Sequence, residues 1–199
     1  MKTLTRFNKS LIYTLSAAAL VVGGMFGQIA VAGDMFSGTS TICAIAPVEP
    51  EIKPNGFVYT SDFRMYWYVE TDHELMNGPV TVYSYSKLKT LPSGKEKGWY
   101  WGESTMVPEL ATDGTLEETF RFRPKDAAER PGTFYGTGEF EGVTVEFVET
   151  EDASIPPKYC DEYPPCVYDE TCIPVADYTG LPPYSARFEG VVFGYDEFE

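Results

Sequence analysis

Histidine is almost absent from the chain, which has a single one, His73, in 199 residues. No serine or cysteine stands in a nucleophile motif, and no glycine-rich loop precedes a helix where phosphate could bind. Hydrolases of the serine or cysteine type need a histidine base, whereas a lone histidine in a predicted turn is far more often a solvated surface residue. The sequence therefore disfavours both kinds of site.

Positive charge is also scarce, because 15 Lys and Arg residues stand against 30 Asp and Glu residues, which gives a net charge of -15. Removal of the three cations in the predicted leader described below would take this value to −15 − 3 = −18. Such a field repels nucleic acid and anionic membrane surfaces. We therefore expect no nucleic-acid partner, and no membrane association once the leader is cleaved.

A long hydrophobic run occurs only near the N-terminus. Three cations precede an apolar run over residues 11–26, and Ala30 and Ala32 stand at the −3 and −1 positions of a cleavage site. This pattern predicts that residues 1–32 are a cleaved signal peptide and that the protein is secreted or periplasmic. An uncleaved membrane anchor is the alternative, which Gly23 and Gly24 disfavour because they interrupt the run.

No segment after residue 33 shows a helical apolar period, whereas period-two alternation is frequent. Residues 57–70 alternate without interruption, which predicts one half-buried strand. Residues 132–147 contain four glycines inside an alternating pattern, which predicts a strand bent around a curved sheet. The fold class is therefore predicted as all-β and antiparallel, a closed barrel with a β-sandwich as the alternative.

The predicted domain organisation has three parts after cleavage. Residues 33–54 lack periodicity and are predicted to be an extended N-terminal arm, and residues 55–199 form the barrel domain. Residues 149–183 are predicted to be a proline- and cysteine-rich acidic insert, since a loop of this length is usually functional or appended. No metal is expected there, because the acids of the insert do not form a calcium-binding loop motif.

The exported part has four cysteines, and an even count outside the cytosol predicts two disulfides whose pairing the sequence leaves open. A thiolate metal site is the alternative, but the spacing does not match the usual zinc patterns. The cysteines are Cys43, Cys160, Cys166 and Cys172.

Large apolar side chains in the predicted strands suggest a lumen that binds an apolar ligand, since small barrels enclose ligands where inward side chains leave space. The alternative is that these residues simply fill the barrel. Glu118 shares the parity of Leu116, Phe120 and Phe122, and it is the one catalytic candidate, because a buried carboxyl can act as a general acid or base. The predicted ligand-binding residues are Met65, Trp67, Trp99, Trp101, Phe120, Phe122, Phe140 and Phe147, and Phe63, Val145 and Phe188 belong to the same apolar wall.

Five ordered motifs carry a resemblance to a known family: residues 72–78 (DHELMNG), 101–102 (WG), 114–117 (GTLE), 136–143 (GTGEFEGV) and 188–190 (FEG). They resemble the motifs of bacterial secreted proteins with the allene oxide cyclase-like, or dirigent-like, β-barrel. The resemblance covers about residues 61–195 and implies an eight-stranded, calycin-like barrel with an apolar lumen. Family members steer the cyclisation or coupling of reactive apolar intermediates, but none of their catalytic carboxylates is matched here.

Together these features predict an exported barrel that is a non-catalytic binding module for a small apolar ligand, or for a partner protein through the acidic insert. One alternative is a cofactor-free cyclase or isomerase that acts on an apolar substrate in the lumen. The other is a structural component of the cell envelope. No cofactor is expected for any of the three.

Overall fold

A computed structural model describes residues 33–46, 48–155, 173–174 and 185–195. The predicted all-β class is confirmed, since the only helical segments there are three single 3-10 turns, at Glu74–Met76, Pro124–Asp126 and Gly138–Phe140. None of these described segments has the length and apolar character needed to cross a bilayer as a helix. The strands are β1 (Asp34–Ala46), β2 (Glu51–Ile52), β3 (Val58–Thr71), β4 (Gly78–Thr90), β5 (Glu96–Met106), β6 (Leu116–Phe122), β7 (Glu129–Gly136), β8 (Thr144–Glu151), β9 (Ile173–Pro174) and β10 (Ser185–Phe193).

The strands form a closed antiparallel barrel, as predicted. Each neighbour pairs from β3 through β8, then β10 pairs with β8 and β1 pairs with β10. The ring closes because β1 also pairs with β3, from Gly38 opposite Thr71 to Ala46 opposite Arg64. Eight strands make the wall, while β2 and β9 are short additions beside β3 and β1. This closure rules out the β-sandwich alternative.

The predicted N-terminal arm is wrong in its first half, because residues 34–46 are the barrel strand β1. Every side chain from Ser40 to Ala46 is buried. A strand covered on both faces has no reason to alternate polar and apolar residues, so period-two analysis does not detect it. Cys43 lies in this buried part of β1.

The alternation predicted over residues 57–70 is broken by a β-bulge. The register between β3 and β4 shifts between Thr60 and Phe63, and Asp62 has a φ of 55°. An extra residue in one strand moves the following side chains to the other face. Consequently Tyr59 lies outside beneath the Lys87 ammonium, whereas Phe63 points into the barrel.

Residues 132–147 are two strands rather than the predicted single bent strand. β7 ends at Gly136, a 3-10 turn follows, and β8 begins at Thr144. Gly138 and Gly142 have φ values of 60° and 95°, a region that favours glycine, so they support the connection between strands rather than a bend within one.

The predicted insert begins slightly too early, because β8 continues through Glu151 and residues 149–151 are therefore strand. Most of that insert lies outside the described residues, as do the signal peptide and Cys160, Cys166 and Cys172. The leader and the disulfides therefore stay predictions.

One end of the barrel, here called the closed end, is filled by apolar side chains. It comprises the ends of β3, β5 and β7 and the turns that follow them. Two of its turns are joined by Glu139, whose carboxylate accepts hydrogen bonds from the backbone N–H groups of Thr112 and Asp113. Five side chains at this end have no solvent exposure: Leu75, Met76, Met106, Leu116 and Phe140.

Candidate functional site: an apolar cavity beside a buried ion triad

A cavity of about 320 Å³ occupies the barrel interior beyond the closed end. Its wall consists of inward residues at every second position of the strands, such as Val80, Val82 and Ser84 of β4. Most of the lining is apolar and much of it is aromatic. The aromatic members are Phe63, Trp67, Tyr100, Phe120, Phe122, Phe134 and Phe188.

The cavity is reached from the opposite end of the barrel, here called the open end. Phe63, Tyr100 and Phe122 line the cavity there and are only half-buried. The exposed Glu151 and the half-buried Ala127, which lies just after the 3-10 turn between β6 and β7, also belong to the lining. Among the residues that the structure describes, none forms at this end an apolar plug like the one that fills the closed end.

Three charged side chains, Glu118, Arg130 and Glu149, form an ion triad inside the barrel. Arg130 Nη1 donates to Glu118 Oε1 at 2.6 Å, and Arg130 Nη2 donates to Glu149 Oε2 at 3.1 Å. Glu118 and Glu149 are 3% and 7% exposed, and the Arg130 side chain is 16% exposed. One guanidinium thus serves two buried carboxylates.

Two serines complete the coordination of the triad. Ser104 Oγ donates to Glu118 Oε2 at 2.8 Å, and Ser40 Oγ donates to Glu149 Oε1 at 2.7 Å. Every carboxylate oxygen of the triad therefore accepts a hydrogen bond. Buried charge is tolerated only with partners of this kind, so the arrangement explains why two carboxylates persist in an apolar interior.

Burial and pairing act in opposite directions on the titration of the triad. Burial raises the pKa of Glu118, and the charge of Glu149 adds to that rise, while the Arg130 guanidinium and the Ser104 hydroxyl oppose it. Burial works against the charge on Arg130, but Glu149 and Glu118 together hold its pKa above the ordinary value. Burial is the largest of these effects on Glu118, so its carboxyl group accepts a proton more readily than an ordinary glutamate does.

The triad lies where the barrel wall is weakest. Within the described part, β6 and β7 are in register only at Leu116 opposite Gly136 and at Glu117 opposite Tyr135. Beyond these pairs the two strands separate, and this interval, between residues 118–122 and 129–134, is here called the seam. Arg130 reaches from β7 to Glu118 of β6 across it, so an ion pair replaces backbone hydrogen bonds as the link.

Gly132 gives the triad its space. A Cβ atom at this position would lie 2.4 Å from Glu118 Oε1 and 2.2 Å from a ring carbon of Phe147. These separations are far below van der Waals contact, so only a residue without a side chain fits opposite the carboxylate. The glycine predicted to bend a strand thus has a packing role.

A second, outward-facing groove of about 690 Å³ follows the seam. The Trp99 ring packs there against the guanidinium groups of Arg121 and Arg123. The Cζ atoms of these two arginines lie 4.5 and 4.8 Å from the centroid of the Trp99 ring. Phe120, Phe122 and Arg130 line both this groove and the inner cavity. Their side chains therefore form the partition between the two spaces.

The predicted ligand-binding residues are found in three places: in the cavity lining, in the core away from the cavity, and, for the two tryptophans of β5 described in the next paragraph, on the outer face. Met65, Trp67, Phe120 and Phe122 line the cavity. Phe140 and Phe147 are buried in the core without lining the cavity. The other predicted wall residues divide likewise, since Phe63 and Phe188 line the cavity and Val145 lies in the core.

The inward placement expected of Trp99 and Trp101 is wrong. Both lie on the outer face of β5, where Trp101 stacks on Tyr85 and Trp99 packs on Arg121. The inward positions of this strand are Tyr100, Gly102 and Ser104 in alternation. Tryptophan is more hydrophobic than its neighbours, but stacking and cation–π contacts stabilise both rings on the outer surface, where Trp101 is still 36% exposed.

The catalytic candidate Glu118 is buried as its parity indicates, whereas its partners Arg130 and Glu149 are not among the predicted site residues. A parity signal was present for both. Arg130 shares its face with Phe134, and Glu149 shares its face with Phe147. Pro124 and Pro131 give the segment around Arg130 the composition of a turn, and Glu149 stands at the first position of the predicted insert, so both residues lie at the edge of a pattern that is too short to show alternation clearly.

His73 and metal ligands contribute nothing to this site. His73 Nδ1 accepts a hydrogen bond from the Leu75 backbone N–H and so caps a 3-10 turn at the closed end. Among the described residues, no group of three or more His, Cys, Asp or Glu side chains is placed to hold a metal ion. The acids of the insert, including Asp161 and Glu170, lie outside those residues.

Comparison with known proteins adds little. No protein-family model matches the chain, and no curated protein matches it. It is similar to a solved structure described as that of the pterocarpan synthase dirigent protein GePTS1, with 10% sequence identity and a TM-score of 0.33 over 91% of this chain and 100% of that chain. At that TM-score the likeness assigns neither a ligand nor an activity here.

Proposed function

We propose that this barrel is a non-catalytic binding protein that holds a small, largely apolar molecule in its lumen. The observation that carries the proposal is the aromatic cavity of about 320 Å³. Protein interiors are normally packed to crystal density, with few voids larger than a water molecule. Binding pockets for small molecules begin at about 300 Å³, and they are mostly apolar with a few placed polar groups.

The packing of the barrel supports a preformed site. The closed end is filled by side chains such as Phe140 and Met76, and the cavity lies beyond it. Within the described residues, no element of the wall would have to unfold for a ligand to enter. Preformed sites lose little conformational entropy on binding, which favours affinity for a molecule with few polar groups.

Binding is favoured over turnover because of the way Glu118 is held. A general acid or base must exchange a proton with the substrate, and the Glu118 oxygens already accept from Arg130 and Ser104. Glu118 also lines the outer groove rather than the cavity. The cyclase or isomerase alternative therefore stands second, supported by the raised pKa of this buried carboxyl.

A purely structural role in the envelope is less well supported, since unfilled space of this size weakens a barrel that has only to be stable. We also propose that the protein is exported by means of its predicted leader and acts outside the cytosol. A protein partner for the acidic insert stays a prediction, because most of that segment lies outside the described residues.

Filling the cavity tests the proposal. Ser84 is buried and lines the cavity, whereas Thr81 lies on the outer face of the same strand. We expect Ser84→Phe to weaken binding of an uncharged apolar fluorophore, such as N-phenylnaphthylamine, by about tenfold or more, since each factor of ten needs only about 1.4 kcal/mol of lost contact. Thr81→Phe, the matched control, should leave the affinity within about twofold.

Circular dichroism and melting temperature of both variants establish that the barrel is intact. Equal binding by both variants would place the fluorophore outside the lumen. No binding by the wild-type protein, or turnover of an apolar substrate that Glu118→Gln abolishes, would overturn the proposal. In the second case the cyclase or isomerase alternative takes its place.

A further inference from the structure

The charges around the cavity are not balanced. Arg130 is the one cation in the described lining, and it stands with Glu149 and Glu151. Glu118 lies behind Arg130 and draws on the same guanidinium. Arg130 is thus paired with two buried carboxylates, and the exposed Glu151 at the mouth adds a third carboxyl group, in a chain whose net charge is -15.

Such an imbalance has a strong effect inside a barrel. Coulomb interactions are several times stronger in a low-dielectric interior than in water, and they are poorly screened by salt. A ligand cation placed in the cavity would compensate the excess negative charge, whereas a ligand anion would add to it. A cavity with this distribution of charge would therefore favour a cationic ligand over an anionic one.

The apolar part of the lining favours the same sign. Trp67, Tyr100 and Phe122 present aromatic rings to the cavity from three strands. The face of an aromatic ring attracts cations, and clusters of such rings recognise quaternary ammonium groups in many proteins. The triad already shows this chemistry, because the Arg130 guanidinium carbon lies 5.4 Å from the Phe120 ring centroid.

From these observations we infer that the lumen ligand is a cationic amphiphile, an apolar body that carries one amine or quaternary ammonium group. The inference rests on the proposed function and names its ligand class. The apolar body occupies the aromatic part of the cavity. The cationic group lies beside Glu149, whose carboxylate keeps one acceptor position after one bond from Ser40 and two from Arg130.

The main competitor is an anionic ligand that pairs with Arg130. Three of the five N–H groups of that guanidinium already donate, one from Nη1 to Glu118 and one each from Nε and Nη2 to Glu149. An anion would have to use the two other N–H groups, and it would lie close to both carboxylates. Their two negative charges already exceed the single positive charge of Arg130, so an added anion meets net repulsion.

Three probes with the same eight-carbon chain test the inference: octyltrimethylammonium, octanol and octanoate. Their affinities are measured by calorimetric titration of the mature protein at neutral pH. We expect octyltrimethylammonium to bind at least about tenfold more tightly than octanol, and octanoate to bind most weakly. Octanol binding without an ammonium preference overturns the inference and leaves the proposed function standing, whereas binding of none of the three counts against both.

Variants in β8 test which carboxylate causes the preference for the ammonium probe over octanol. Glu149→Gln removes one charge and keeps the shape, and we expect it to reduce the ratio of ammonium to alcohol affinity by about tenfold. Glu146→Gln, on the exposed face of the same strand, is the matched control and should leave the ratio unchanged. If Glu149→Gln does not fold, Glu151→Gln at the mouth should lower the ratio by a smaller factor. A ratio equal to that of the wild-type protein in each folded lining variant, or tightest binding by octanoate, contradicts the inference.

Discussion

The two ends of this barrel differ in what their described connections contribute to the interior. At the closed end the turns carry Leu75, Met76 and Phe140 inward, and all three are fully buried. At the open end the turn between β4 and β5 is Pro92-Ser93-Gly94, which is exposed and supplies no apolar plug. An eight-stranded barrel is just wide enough for side chains to fill, so the connections decide which part remains empty.

The two ends also differ in what they contribute to stability and to function. The closed end concentrates the apolar burial that drives folding. The part of the barrel towards the open end contains the cavity and the triad, and both lower the stability of the fold relative to a packed apolar core. Features that lower stability are typical of functional sites, which explains why the two occur in the same part of the molecule.

The largest effect on the free energy of unfolding is expected from replacing one phenylalanine at each end of the barrel. Phe140→Ala removes a fully buried ring and should lower the free energy of unfolding by about 4 kcal/mol. Phe122→Ala removes a half-buried ring beside an existing cavity and should cost about 1 kcal/mol. Urea unfolding of both variants measures the difference. Equal losses would show that the open end is as tightly packed as the closed end.

The second prediction contrasts two ion pairs. Arg130→Met leaves two buried carboxylates without their cation and should cost about 3 kcal/mol at neutral pH. Arg187 pairs with Asp152 at 2.9 Å, but its side chain is 64% exposed, so Arg187→Met should cost less than about 1 kcal/mol. Urea unfolding again supplies the values. A small effect at Arg130 would mean that the seam does not depend on the ion triad.

The smallest effect concerns the pH dependence of the open half. Burial raises the pKa of Glu118 above its ordinary value of 4.5, so the folded state binds this proton more tightly than the unfolded state does. The stability from this group is therefore fully present below about pH 4.5 and is lost as pH rises through the folded pKa, by at most about 1.4 kcal/mol per pH unit.

Glu118→Gln does not titrate, so the stability of the wild-type protein relative to this variant should decrease as pH rises across that interval. Glu117→Gln, on the exposed face of the same strand, is the control and should show little change. Thermal unfolding at a series of pH values measures both. A relative stability that increases with pH would show that pairing with Arg130 outweighs burial and holds the Glu118 pKa down.

Much of the wall could be predicted from local pattern. The parity of Phe63, Met65 and Trp67 predicts the correct face for three lining residues of β3. The same rule found Glu118 inside the barrel, because its neighbours at every second position are apolar. Parity failed where a bulge or a second covered face removed it, as at Asp62 and along β1. It also failed at Trp99, whose cationic neighbours cover it on the outer surface.

Sequence by itself determined that the described chain is all-β, because side chains alternate with a period of two and no helical period competes. Only the tertiary structure decided which side chains meet. Glu118, Arg130 and Glu149 come from three strands, and their pairing depends on the register and curvature of the closed sheet. The cavity likewise follows from where the connections place their apolar residues, since empty space is a property of the packed whole and has no local signature.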